Sequence, residues 1–175
     1  MRRGPCTRTH YLKPGEVFLS QESALITTVL GSCISITMYH KPTGLSIMCH
    51  AVMPSRTDAR KKHEHNVFQY VDSSIEWMVA QYEKKGINPS SVEVKMFGGA
   101  AMFPDARSRA RDLGVGRKNI ETALEVLKKH RMNLSAWNVG GSQGRKLIFS
   151  TLTGEVLARL IIRTDSARAA AGGKQ

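Results

Sequence analysis

The chain has 175 residues and a formal net charge of +12, with 26 Lys and Arg against 14 Asp and Glu. That length fits one domain, and a hydrophobic fraction of 41% supplies a core without covalent staples. Nothing approaches the run of about 18 apolar residues that a membrane helix needs. No apolar segment of secretory type follows Arg2-Arg3. A cytoplasmic location is therefore expected, with no direct membrane insertion.

Cys6, Cys33 and Cys49 are odd in number and include no CxxC pair, which argues against a disulfide framework and a zinc ribbon. His63-Glu64-His65 lacks a second ligand pair at metal-site spacing, so no metal and no cofactor are expected. Gly98-Gly99 and Gly140-Gly141 are not followed by Lys-Ser or Lys-Thr, so no phosphate loop is expected. The basic charge invites an anionic partner. Aromatic residues are not interleaved with the basic runs and no nucleic-acid-binding signature stands out, so an acidic protein ranks ahead of nucleic acid.

In chain order, residues 1–14 read as a flexible basic arm broken by Pro5 and Pro14. Three strands follow, Ala24–Leu30, Ile34–Tyr39 and Leu45–Val52, rich in apolar and β-branched residues and bounded by Gly31, Pro42-Gly44 and Pro54. A basic loop leads into a helix over about Asn66–Lys85, whose Val67, Val71, Ile75, Met78 and Tyr82 recur at helical spacing before Gly86. Val92–Phe97 reads as a strand and Asn119–His130 as a second helix. Leu134–Val139 is another strand, and Lys146–Leu152 with Glu155–Ile162 form a hairpin about Thr153-Gly154. Residues 166–175 read as a disordered tail behind a domain spanning 15–165. The fold class is α+β: a single domain with a mixed, largely antiparallel sheet and two main packing helices.

The chemistry concentrates on Leu30-Gly31-Ser32-Cys33, where a strand meets a Gly-Ser turn that delivers a cysteine. Such a turn can expose the sulfur, and the backbone N–H groups about Gly31 and Ser32 are natural oxyanion donors. From composition alone, a buried small side chain at a strand start is the favoured reading of Cys33. His50 ends an apolar strand seventeen residues later. Its imidazole can take the thiol proton, and a thiolate–imidazolium pair would lower the cysteine pKa toward neutrality. A satisfied core histidine is the plain alternative. Thr27 or Thr28 can orient the ring, and strand alternation allows only one of them to face it.

These residues resemble the CheD family of chemoreceptor glutamine deamidases. The resemblance rests on Thr27-x5-Cys33, Leu30-Gly31-Ser32-Cys33 and His50-x3-Pro54. It continues through Gly98-Gly99-Ala100-Ala101-Met102-Phe103, Val115-Gly116-Arg117-Lys118-Asn119, and Gly140-Gly141 with Gly144-Arg145. The motifs fall in order from about Leu12 to Arg163. His40 and Asn138 stand where many members carry aspartate.

The resemblance implies a nucleophile at Cys33, a general base at His50 and a ring-orienting threonine at Thr27. It implies a sandwich akin to the cytotoxic necrotizing factor deamidases. The substrate would be the acidic helical cytoplasmic domain of a chemoreceptor, steered by basic clusters at Arg56, Arg60, Lys61 and Lys62 and at Arg107, Arg109, Arg111, Arg117 and Lys118. A substrate- or partner-binding lip is expected at Gly98, Gly99, Ala100, Met102 and Phe103, with a CheC-type phosphatase as a further partner. The rival reading is a non-catalytic receptor- or phosphatase-binding module.

Overall fold

The computed structural model describes residues 8–56, 66–101 and 109–162. Their elements run β1 (Arg8–Tyr11), β2 (Val17–Ser20), β3 (Ala24–Leu30), β4 (Ile34–His40), β5 (Leu45–Cys49), α1 (Val71–Glu83), β6 (Glu93–Gly98), α2 (Arg109–Lys129), β7 (Leu134–Val139), β8 (Arg145–Ser150) and β9 (Val156–Leu160). The expected strands and helices are all present, and the strands divide into two sheets. One has the order β1-β3-β8-β9 and the other β2-β5-β4-β6-β7. Both are mixed, since β1 runs parallel to β3 and β6 parallel to β7 while the remaining pairs are antiparallel.

The five-stranded sheet is covered on both faces, so β4 and β5 are buried at every position. One face packs on the helices: Ile34, Ile36 and Met38 of β4 and Leu45, Ile47 and Cys49 of β5 meet Val71, Ile75, Met78 and Tyr82 of α1 and Leu127 of α2. The other face meets the four-stranded sheet through Leu12, Ile26, Leu30, Met48, Phe97, Leu147 and Phe149. Burying each large aliphatic side chain contributes roughly 1.5–3 kcal/mol. The result is three layers: sheet, sheet, helices.

Two expectations need correction. The loose arm drawn over residues 1–14 is, from Arg8 onward, part of the fold. β1 pairs with β3 from Arg8↔Ala24 to Tyr11↔Thr27, and Leu12 is fully buried. Helix α2 begins ten residues before Asn119, at Arg109. Gly114 and Gly116 lower helix propensity there. A Cβ at Gly116 would lie 2.7 Å from Gly99 O, so the helix needs a bare backbone where it crosses the β6 corner.

Candidate active site

Strand pairing brings Cys33 and His50 to one end of the five-stranded sheet. Ile34 and Ala51 form an antiparallel bridge, exchanging N–H···O bonds of 3.0 and 2.9 Å. Cys33 and His50 each stand one residue outside that bridge, and both turn away from the helix-side layer that receives Ile34, Cys49 and Ala51. They are diagonal neighbours on the inter-sheet face, a relation that in regular ladders spans about 7–8 Å and is within reach of an imidazole. Cys33 is half-buried at the rim of this layer, and His50 is 2% exposed.

The group that holds the ring comes from the other sheet. On β3 the inward row is Ala24, Ile26, Thr28 and Leu30, and the outward row is Leu25, Thr27 and Val29. Thr28 Oγ1 therefore reaches His50 Nδ1 at 2.8 Å, while Thr27 faces the opposite side. The expected ring-orienting threonine is corrected from Thr27 to Thr28 by this phase of the strand.

The proton arrangement follows from the partners. Thr28 Oγ1 donates to Leu12 O at 2.8 Å, and a carbonyl can only accept. With its single proton so placed, the hydroxyl must accept from Nδ1–H of His50. The neutral ring then carries its lone pair on Nε2. That atom is buried and makes no hydrogen bond to the described residues.

Burial pushes the His50 pKa below the ordinary histidine value, opposed by the Leu12 carbonyl and the Glu16 charge. Burial also pushes the Cys33 thiol up, opposed by its own backbone N–H. Both directions favour a neutral thiol beside a neutral imidazole. The expected lowering of the thiol pKa belongs to the thiolate–imidazolium pair formed on proton transfer, and burial opposes that charge separation in the resting site.

The Cys33 turn is fixed from behind. Ala100 N–H donates to Gly31 O at 2.9 Å and Gly99 N–H to Cys33 O at 2.8 Å. Asn119, fully buried on α2, donates from Nδ2 to Ser32 O and Val52 O, both at 3.0 Å. One side-chain amide thus ties the residue before Cys33 to the segment just after His50. Gly98 has φ +108, and a Cβ there would collide with Cys33 O. Arg145, buried, donates to Asn138 Oδ1 at 2.6 Å, Gly140 O at 2.6 Å and Gly98 O at 3.3 Å, joining both double-glycine corners. No described neighbour accepts from the N–H groups of Ser32 or Cys33.

The expected lip is corrected in part by this placement. Gly98, Gly99 and Ala100 are buried and face the back of the Cys33 turn, so they brace the site rather than present a surface. Met102 and Phe103 lie outside the described residues, as do Arg60, Lys61, Lys62, Arg107 and the His63-Glu64-His65 run. Arg56, Arg117 and Lys118 are exposed, and Arg117 pairs with Glu121 at 2.6 Å. Sequence reasoning missed the roles of Asn119, Arg145 and the Leu12 carbonyl. It also passed over Ser35, fully buried across the ladder from His50, whose hydroxyl makes no hydrogen bond to the described residues.

Comparison with known proteins identifies the family of the chain as a whole. A family model described as CheD chemotactic sensory transduction matches residues 52–160. A Geobacter sulfurreducens protein named probable chemoreceptor glutamine deamidase CheD 2 is 41% identical over 156 residues, covering 89% of this chain and 92% of its own. Relatives named probable chemoreceptor glutamine deamidase CheD occur in Maridesulfovibrio salexigens, 34% identical over 85% of this chain and 89% of its own, and in Nitratidesulfovibrio vulgaris, 38% identical over 89% and 78%. Among solved structures, a Bacillus licheniformis hypothetical protein, YfiH, overlaps 77% of this chain and 59% of its own, with TM-score 0.45 and 11% identity, a likeness on which nothing further rests. With the family model spanning most of the chain and relatives matching nearly all of it, the chain belongs to the CheD family.

Proposed function

We propose that this chain is a protein-glutamine deamidase that converts glutamine side chains of chemoreceptors to glutamate. The observation that carries the mechanism is the Leu12–Thr28–His50 relay, which leaves Nε2 unprotonated on the face that Cys33 shares. The curated relatives are named for the same reaction.

His50 Nε2 takes the Cys33 proton as the sulfur bonds to the γ-carboxamide carbon, so charge separates only at attack. The N–H groups of the Ser32–Cys33 turn are the natural donors to the developing oxyanion. Each donor of this kind is worth roughly 3–4 kcal/mol of barrier. The imidazolium returns its proton to the departing nitrogen, ammonia leaves, and a γ-glutamyl thioester remains. Water, deprotonated by Nε2, attacks the thioester, and the C–S bond breaks to give glutamate and free thiol. Thr28 orients the ring throughout. It carries no full charge to stabilise the imidazolium, so turnover is modest.

The same reading includes a cytoplasmic setting, steering of an acidic receptor by the basic surface, a CheC-type phosphatase as second partner, and kinship with the cytotoxic necrotizing factor deamidases. The test is mass spectrometry of a receptor cytoplasmic fragment incubated with the protein. Each converted glutamine should gain about one dalton, and Cys33→Ala should lower the rate by at least about three orders of magnitude. Unchanged conversion by Cys33→Ala would remove the proposed nucleophile, and no conversion by the native chain would remove the activity.

A further inference from the structure

The geometry points to a groove between α2 and β7 as a docking surface for an acidic segment of a protein partner, anchored by a large apolar side chain. The groove has a volume of about 550 Å³ and is walled by Met96, Ile120, Leu124, Leu127, Trp137 and Val139. Trp137 is 65% exposed and Leu124 45% exposed, an unusual outlay of apolar surface on one small patch. A tryptophan beside an apolar pocket, ringed by polar groups, is the composition of an interaction hot spot. β7 is also an edge strand, pairing only with β6 among the described residues.

Charge selects the class of partner. The rim carries Lys128 and Arg131, and no acidic side chain lines the groove. Neither cation makes an ion pair or hydrogen bond to a described residue, whereas nearby Lys129 is held by Glu76 at 2.7 Å and Arg117 by Glu121.

Backbone conformation singles out Arg131. The C-terminus of α2 closes with Met132 N–H bonded to Leu127 O at 2.9 Å and Arg131 N–H to Lys128 O at 3.0 Å. This closure places Arg131 in the left-handed position, where glycine is the usual residue. Its φ is +56, and it is the one non-glycine residue with positive φ among those described. The strained choice puts a guanidinium at the groove rim where glycine would put nothing. Strain of this kind gathers at ligand clamps.

The experiment uses the full chain and two synthetic amphipathic probes, a leucine–glutamate peptide and its leucine–lysine counterpart, read by calorimetry and tryptophan emission. The leucine–glutamate peptide should bind and shift the emission of Trp137 to the blue, and the leucine–lysine peptide should not. Trp137→Ala should abolish that shift, leaving half-buried Trp77 as a silent background. Lys128→Glu and Arg131→Gly should each weaken binding at least tenfold. Arg131→Gly should do so with no loss of melting temperature, since glycine relieves the left-handed strain. Equal binding of both peptides, binding of neither, or full affinity in Arg131→Gly would overturn the proposal. Self-association abolished by Trp137→Ala would also overturn it, by assigning the groove to a second copy. Glutamine deamidation is not part of the readout, so the outcome stands apart from that of the proposed activity.

Discussion

The two faces of the five-stranded sheet carry one described cysteine each, and the contrast shows what makes a thiol useful. Cys49 sits with Ile47 and Ala51 in the helix-side layer, wholly buried, and burial pushes its thiol up to about 12. Cys33 lies on the inter-sheet face at the rim, half-buried, within a diagonal step of an imidazole whose lone pair is free. Chemical identity is the same and the strands are neighbours. Face and depth separate a packing atom from the proposed nucleophile.

The largest expected effect beyond loss of the sulfur tests the polar side of that contrast. Thr28→Val removes the hydroxyl that fixes the tautomer and should cut kcat roughly 10- to 100-fold, the scale of a misplaced catalytic group. Thr27→Val, on the outward row, should stay within about twofold. Steady-state ammonia release distinguishes them, and equal losses would mean that β3 contributes only packing.

Asn119→Ala comes next. It leaves the Ser32 and Val52 carbonyls without their shared donor, which should cost about 1–3 kcal/mol of stability by denaturant melt. Its kcat should fall more than its KM rises, because the turn rather than substrate contact is disturbed.

The smallest effect is in pH dependence. Since burial holds the His50 pKa down, the acid limb of kcat/KM should lie below the ordinary histidine value of about 6.5. Between that value and the lower folded pKa, the unfolded chain binds more protons, so stability falls as pH falls through the window and is intact above it. His50→Gln should flatten that slope in melting-temperature curves. Iodoacetamide labelling of Cys33 should keep accelerating above the ordinary thiol range, with no plateau near neutrality, and Cys49 should label only on unfolding.

Much of this fold was legible in the chain because β-branched runs met glycine or proline stops, as at Ala24–Leu30 before Gly31 and at the Thr153-Gly154 hairpin. β1 was not, because Arg8-Thr9-His10-Tyr11 is short, polar and exposed on an edge, with nothing to distinguish it from a loop. That Cys33 and His50 stand at neighbouring strand ends could be read from the flanking apolar runs and turns. The choice of Thr28 over Thr27 could not, because both rows of β3 are largely apolar and alternation gives no contrast to set the phase. Asn119 was hidden for a different reason: the bonds that tie it to Ser32 and Val52 join residues 87 and 67 positions away.

The proton relay ends on the main chain at Leu12, and a main-chain carbonyl survives every side-chain substitution at its own position. So long as residue 12 still fills its buried place, imidazole orientation depends on strand alignment rather than on the chemistry of that side chain. If β1 slipped by one residue against β3, the next carbonyl would face the wrong side, and the ring would lose its tautomer with Thr28, Cys33 and His50 all still in the sequence.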